Sequence, residues 1–232
     1  MINTSYTFLH NNRYNNIYFQ NKCQKQKGWN EVYATHTVPW DSTQWRKMSA
    51  DCVDGFLTEN DKYILDYGFG TGHLLEHLMS KGNKVFGAEK SSDMVQSFKH
   101  SHPKVTVIQT DHPNQIKNEK FDAITCMGVF HHINPKEYDS MLKSFSNMLK
   151  PKGKLVLGGW DKDDKNFNGK PFVISPYSES PVYTINHPDH SIEYLLKQNN
   201  LRIVNSKTIG FNDNAYSQDR LFKCYYIEKI EN

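Results

Sequence analysis

The stretch Ile64 to His73, ILDYGFGTGH, places Asp66 at the end of an apolar run and Gly68, Gly70 and Gly72 directly behind it. A turn of that composition brings backbone close to a ligand with no Cβ in the way, because glycine also reaches positive φ. The spacing excludes two phosphate chemistries. In the dinucleotide pattern G-x-G-x-x-G the third small residue falls at His73, a bulky ring, and no G-K-[ST] follows for a phosphate loop. His131 and His132 stand together after another apolar run, FDAITCM. An imidazole with a pKa near neutral there could take a proton from an acceptor, the alternative being that one of the pair caps or packs. His73 and His77 have a helical metal-ligand spacing, but no third ligand accompanies them, so no metal is expected.

These residues need elements to hold them. From Lys62 onward short apolar runs (YILDY, KVFGAE, VTVIQT, FDAITCM, GKLVLGG) alternate with helical patterns (LLEHLMSKG, MVQSFKH, YDSMLKSFSNMLK). Such alternation predicts βαβ units and a parallel sheet with helices on both faces. Tyr138, Met141, Leu142, Phe145, Met148 and Leu149 form one apolar stripe, read as core. Earlier, Trp45, Met48, Cys52 and Phe56 recur at helical spacing behind a cap at Ser42 or Thr43. After Trp160 the pattern breaks into WDKDDKNFNGKPFVISPYSESPVYTINHP, too long for an ordinary connection, which predicts a functional lid or a separate hairpin. SIEYLLKQNN then reads as a helix, and LRIVNSKTIGF and RLFKCYYIEKI as strands, which predicts an antiparallel edge.

Bulk composition narrows the classes. The 232 residues suffice for one sizeable core, and the mean hydropathy of -0.73 comes mainly from Asn, Gln, Lys and His. A formal charge of +3 gives no support for a nucleic-acid surface. No apolar run approaches the roughly 20 residues of a membrane span, and residues 1–27 lack a signal-peptide core, so the expected location is cytoplasmic. Cys23, Cys52, Cys126 and Cys224 are scattered without a C-x-x-C pair and are expected to be inert thiols.

ILDYGFGTGHLLEHL resembles the first motif of the class I S-adenosylmethionine-dependent methyltransferases. Further stretches follow in that family's order: KVFGAE ending in Glu89 and followed by SSDM, VTVIQTD ending in Asp111, FDAITCMGVFHHI, and MLKPKGKLVLG. The resemblance covers residues 62 to 160, and the helix-strand-strand tail more weakly. It implies an α/β, Rossmann-like, doubly wound sheet of seven strands, mostly parallel with an antiparallel edge strand. It also implies S-adenosyl-L-methionine as cofactor and S-adenosyl-L-homocysteine as product. Glu89 would then accept both ribose hydroxyls, Asp111 the adenine amino group, and the His112 amide would meet the adenine ring. Asp66 and the backbone around Gly68 would face the ammonium of the amino-acid end. The implied cofactor set is Asp66, Gly68, Gly70, Gly72, Glu89, Lys90, Asp111, His112 and Met127. On this reading Glu89→Ala abolishes binding of S-adenosylhomocysteine with little loss of fold.

The segment GWNEVYATHTVPWD is similar to a stretch of the thiol, thiopurine and halide branch of that family. Trp29, Tyr33 and Trp40 are therefore expected, with Trp160, Tyr177 and Tyr183, to line a pocket for a small, partly apolar acceptor, core packing being the alternative. The whole chain is expected to be a single domain: a leader (1–27), a cap (28–60), a cofactor core (61–160), a lid or insertion (161–188), and a terminal helix with edge strands (189–232). Methyl transfer to a small molecule, with no nucleic acid or membrane partner, is the expected activity. A protein or RNA acceptor, and a non-catalytic cofactor-binding scaffold, are the alternatives.

Overall fold

A computed structural model describes residues 28–35, 38–58, 62–165, 172–174, 181–183, 189–213 and 218–231. The leader 1–27 and Tyr177 lie outside the described residues. Alternation of period 2 and period 3.6 yields, in order, α1 (Trp29–Thr35), α2 (Thr43–Asp54), β1 (Tyr63–Tyr67), α3 (His73–Ser80), β2 (Lys84–Glu89), α4 (Ser92–Ser101), β3 (Thr106–Gln109), β4 (Phe121–Met127), α5 (Tyr138–Met148) and β5 (Leu149–Trp160). These are followed by β6 (Phe172–Ile174), β7 (Pro181–Tyr183), α6 (Asp189–Gln198), β8 (Leu201–Asp213) and β9 (Gln218–Lys229).

Seven strands form one sheet in the order β3-β2-β1-β4-β5-β9-β8. The first five are mutually parallel, and β9 runs antiparallel to both β5 and β8. The antiparallel strand thus sits one place in from the edge. A separate hairpin, β6 with β7, occupies the stretch after Trp160, so a hairpin stands where the sequence predicted a lid or a hairpin.

Each strand of the seven-stranded sheet divides its residues between two cores. Leu65, Ile124, Leu155, Leu157, Tyr225 and Ile227 face α5 and α6 with Leu142, Phe145, Ile192 and Leu196. Ile64, Ala123, Val156, Phe222 and Cys224 face α2, α3 and α4 with Trp45, Met48, Leu75 and Phe98. Burial on both faces explains why these strands read as continuous apolar runs. Helix starts follow local chemistry: Ser42 Oγ accepts from the Trp45 amide, and Ser91 Oγ from the Met94 amide. Helix α2 ends at Asp54, so Phe56 lies beyond it, packed on Tyr226.

Two of the four cysteines depart from expectation. Cys52 of α2 and Cys224 of β9 form a disulfide across 172 residues, with Cα atoms 6.5 Å apart, while Cys126 is a buried free thiol. The pairing arises because both side chains project into the same core from opposite partners, which the scattered sequence positions do not reveal.

Candidate active site

The strand order reverses between β1 and β4, so the crevice at their carboxyl ends is the place where an open α/β sheet receives a ligand. The glycine turn lies there. Gly68, Gly70 and Gly72 all hold positive φ, at 77°, 56° and 91°. Their surroundings differ. A Cβ on Gly68 would lie 2.2 Å from Val129 Cγ2, and one on Gly72 would lie 2.3 Å from Phe98 Cδ2. These two glycines therefore make room for the protein's own packing. At Gly70 a Cβ would meet only the Tyr33 hydroxyl, at 2.9 Å, and Trp40 Nε1 at 4.0 Å. Gly70 alone of the three opens toward the cleft.

Glu89, at the end of β2, is 6% exposed. Its Oε2 accepts from the Gly70 amide at 2.9 Å, and its Oε1 from the amides of Lys90 and Ser91 at 2.8 and 2.9 Å. Burial nevertheless outweighs these three bonds and raises its pKa. Glu89 thus ties the glycine turn to the end of β2. Its removal, expected from the sequence to cost little of the fold, would leave these three amides without their acceptor.

Asp66 is 2% exposed on β1. Its Oδ1 accepts from Thr125 Oγ1 of β4 at 2.8 Å, and its Oδ2 is buried with no partner among the described residues. Burial pushes its pKa up to about 7, against the Thr125 bond and aided by the charge of Glu89. A buried carboxylate oxygen left without a donor fits a cationic ligand group arriving from the cleft.

Beyond β3 the picture is looser. Asp111 is exposed and the Lys90 side chain points to solvent. The His112 amide, expected to meet a ring, donates to Thr110 Oγ1 at 3.2 Å. Met127, 9% exposed, packs in the core beside Trp45, and a Cβ on Gly158 would lie 2.7 Å from its sulfur.

On the other side of the crevice, a 3-10 turn after β4, Phe130–His132, carries the histidine pair with ring centroids 4.3 Å apart. His132 meets Trp29 edge to face at 4.9 Å, and His131, 3% exposed, lies 5.9 Å from Trp160. Trp29, Tyr33 and Trp40 contact one another at 6.1 to 6.3 Å. One chain of rings thus joins α1, the turn and β5. Strand β7, which carries Tyr183, packs against that same turn. Burial holds the His132 pKa down at about 4, while burial, His132 and Arg220 hold His131 well below the usual range. Both imidazoles are therefore neutral at physiological pH, which corrects the expectation of a near-neutral base. His73 and His77 diverge: His77 Nε2 lies 2.8 Å from Asp54 Oδ1, and both His73 ring nitrogens are buried without a partner among the described residues.

Several site residues carry no signal in the sequence. Arg220 of β9, 3% exposed, places its guanidinium 3.7 Å above the Trp160 ring and pairs with buried Asp164 at 2.9 Å. Asp161 accepts from Thr208 Oγ1, and Thr71 donates to Asp41. Thr125 is an ordinary strand residue by composition. Only its register opposite Asp66 gives it a function.

Residues 64–153 match the methyltransferase domain family. An uncharacterized methyltransferase of Oceanobacillus iheyensis is 32% identical over 134 residues, covering 56% of this chain and 62% of that protein. Another, of Geobacillus kaustophilus, is 30% identical over 142 residues, covering 59% and 66%. The chain thus spans less than two thirds of the length of these relatives. Among solved structures, the 1,6-didemethyltoxoflavin-N1-methyltransferase of Burkholderia thailandensis, with bound 1,6-didemethyltoxoflavin and S-adenosylhomocysteine, superposes with a TM-score of 0.67 at 16% identity, over 86% of this chain and 84% of that one. At that identity the likeness is one of fold.

Proposed function

We propose that the chain is a class I S-adenosylmethionine-dependent methyltransferase that transfers a methyl group from S-adenosyl-L-methionine to a small-molecule acceptor, a reading supported by the methyltransferase domain match over residues 64–153 and by the methyltransferases it resembles. The observation that carries this reading is the pairing, in one crevice, of a buried carboxylate oxygen without a donor on Asp66 with a glycine, Gly70, whose missing side chain faces the opening. An ammonium suits the first, and close approach of a nucleoside suits the second. The residues present therefore fit the cofactor.

Asp66 would hold the ammonium end, with Thr125 fixing its orientation. Glu89 would receive one ribose hydroxyl on the Oε2 lone pair that the Gly70 amide leaves, the other hydroxyl sharing the carboxylate with a backbone amide, and Asp111 with the His112 amide would reach the adenine. When bound, the sulfonium supplies a methyl group already activated for displacement. The protein's own work is then alignment and exclusion of water. Trp29 and Tyr33 from α1, with Trp40 from the turn Pro39–Asp41, cover the crevice, and Trp160, with the Arg220 guanidinium over its ring, closes it from β5. His131 and His132, neutral through burial, serve as hydrogen-bond acceptors that orient an acceptor O–H, N–H or S–H. A conjugate acid with a pKa of about 4 makes His132 a poor sink for a whole proton. The acceptor therefore arrives as a good nucleophile or gives its proton to water.

A small acceptor is supported by the ring-lined crevice and by the fold shared with the 1,6-didemethyltoxoflavin-N1-methyltransferase, which holds 1,6-didemethyltoxoflavin. Saturating S-adenosylhomocysteine is expected to raise the melting temperature. Labelled cofactor with a size-fractionated cell extract should then place label in the low-mass fraction. Label in protein or RNA would overturn the acceptor class, and no thermal shift would overturn the cofactor.

A further inference from the structure

Helix α1 is fastened to the end of β2 by one side chain. Asn30 Nδ2 donates to Ser92 Oγ at 2.7 Å and to Asp93 Oδ1 at 3.1 Å, and Asn30 Oδ1 accepts from Ser91 Oγ at 2.8 Å. Both ends of the amide are engaged, which fixes its orientation. Ser91 has two further duties: its Oγ caps α4, and its amide grips Glu89 Oε1. Glu89 in turn holds the Gly70 amide. One turn along α1, the Tyr33 hydroxyl stands over Gly70, with Trp40 as its hydrogen-bond partner. Positions 30 and 33 fall on the same side of a helix. Helix α1 therefore bridges the crevice, with Asn30 seated at the β2 end and Tyr33 at the β1 end.

We propose that Asn30 is a positioning residue that latches α1 across the mouth of the cofactor crevice, so that bound cofactor leaves only after the contacts of Asn30 with Ser91, Ser92 and Asp93 break. This rests on the cofactor site assigned above. The contacts are polar, run between residues 61 to 63 positions apart in sequence and lie at the rim rather than in the core. Such bonds exchange readily for water, and several broken together make a gate rather than a pillar. The same serine senses both the latch and Glu89. Filling of the ribose subsite and seating of α1 are thereby joined through one residue.

The test is the dissociation rate of S-adenosylhomocysteine, followed by stopped-flow tryptophan fluorescence, in the wild type, Asn30→Ala and Asn30→Asp. Asn30→Ala is expected to raise the rate at least tenfold while the melting temperature of the ligand-free protein stays within about 2 °C. Asn30→Asp, which keeps the acceptor but sets a carboxylate against Asp93, should raise it at least as much. Hydrogen exchange supplies a second reading: ligand should protect the amides of α1 in the wild type and not in Asn30→Ala. Wild-type binding with an unchanged rate and unchanged protection in the variants would overturn the latch. Failure of the wild type to bind at all would instead overturn the cofactor assignment.

Discussion

Replacing Glu89 by alanine separates a ligand-binding carboxylate from a structural one. In the folded protein this side chain satisfies three backbone amides, two of them, from Gly70 and Ser91, in buried surroundings. A buried N–H left without an acceptor costs about 1–3 kcal/mol, so two cost about 2–6 kcal/mol. Part of this is offset because burial disfavours the charge itself, as the raised pKa records. The expected net loss is about 2–4 kcal/mol in the ligand-free protein. Glu89→Gln keeps one carbonyl oxygen and turns an NH2 toward the remaining amide, so about 1–3 kcal/mol is expected. Urea unfolding without ligand measures both, and calorimetric titration with S-adenosylhomocysteine measures the affinity, which both variants should lose by at least tenfold. An alanine variant within about 0.5 kcal/mol of the wild type would refute the structural role, because surface substitutions fall in that range.

Three further outcomes follow from the same site. The Asp66 pKa is raised from 3.8 to about 7, so its share of stability is full below pH 4 and lost as pH rises through 7, worth about 4 kcal/mol. His132 is lowered from 6.5 to about 4, so its share is full above pH 6.5 and lost as pH falls toward 4, about 3 kcal/mol. The two oppose each other, and Asp66→Asn should leave a protein that weakens in acid while His132→Phe leaves one that strengthens, as unfolding curves from pH 4 to pH 7 will show. The affinity for S-adenosylhomocysteine should rise with pH up to about 7 in the wild type, as an ammonium displaces the Asp66 proton, and lose that contribution in Asp66→Asn, read by titration calorimetry. Gly72→Ala, facing the Phe98 ring, should cost at least about 3 kcal/mol, whereas Gly70→Ala, facing only the tip of Tyr33, should cost about 1–2 kcal/mol yet abolish binding, by the same unfolding and titration measurements.

The parallel core between Lys62 and Trp160 is legible because period and turn chemistry agree there: strands buried on both faces read as unbroken apolar runs, and helices follow them behind turn residues, the Gly72 turn before α3 and the Ser91 cap of α4. Helix α1 is not, since seven residues hold too few repeats for a period to register. Its residues Trp29 and Tyr33 stand out only as aromatics. Asn30 is hidden among many asparagines, and its partners lie 61 to 63 positions away. The glycines at 68, 70 and 72 are visible together, but their separate duties depend on Val129, Phe98 and Tyr33, which only the fold brings close. The histidine pair is easily found, and its loss of basicity is not, because that follows from how deeply the turn after β4 is covered. Arg220 and Asp164 look like any surface charges in a polar stretch. Their ion pair under Trp160 exists only because β9 inserts beside β5.

The bond between Cys52 and Cys224 sets how much of the N-terminal region can swing. With α2 stitched to β9, whatever happens at the crevice must be absorbed ahead of Thr43, by a helix of seven residues and the short turn at Pro39–Asp41. The described residues that re-order at each opening are therefore few, which limits the entropy lost on reclosing them. Without the stitch α2 would be held to the sheet by the burial of Trp45, Met48 and Val53 alone, and the base from which α1 moves would be less firmly set.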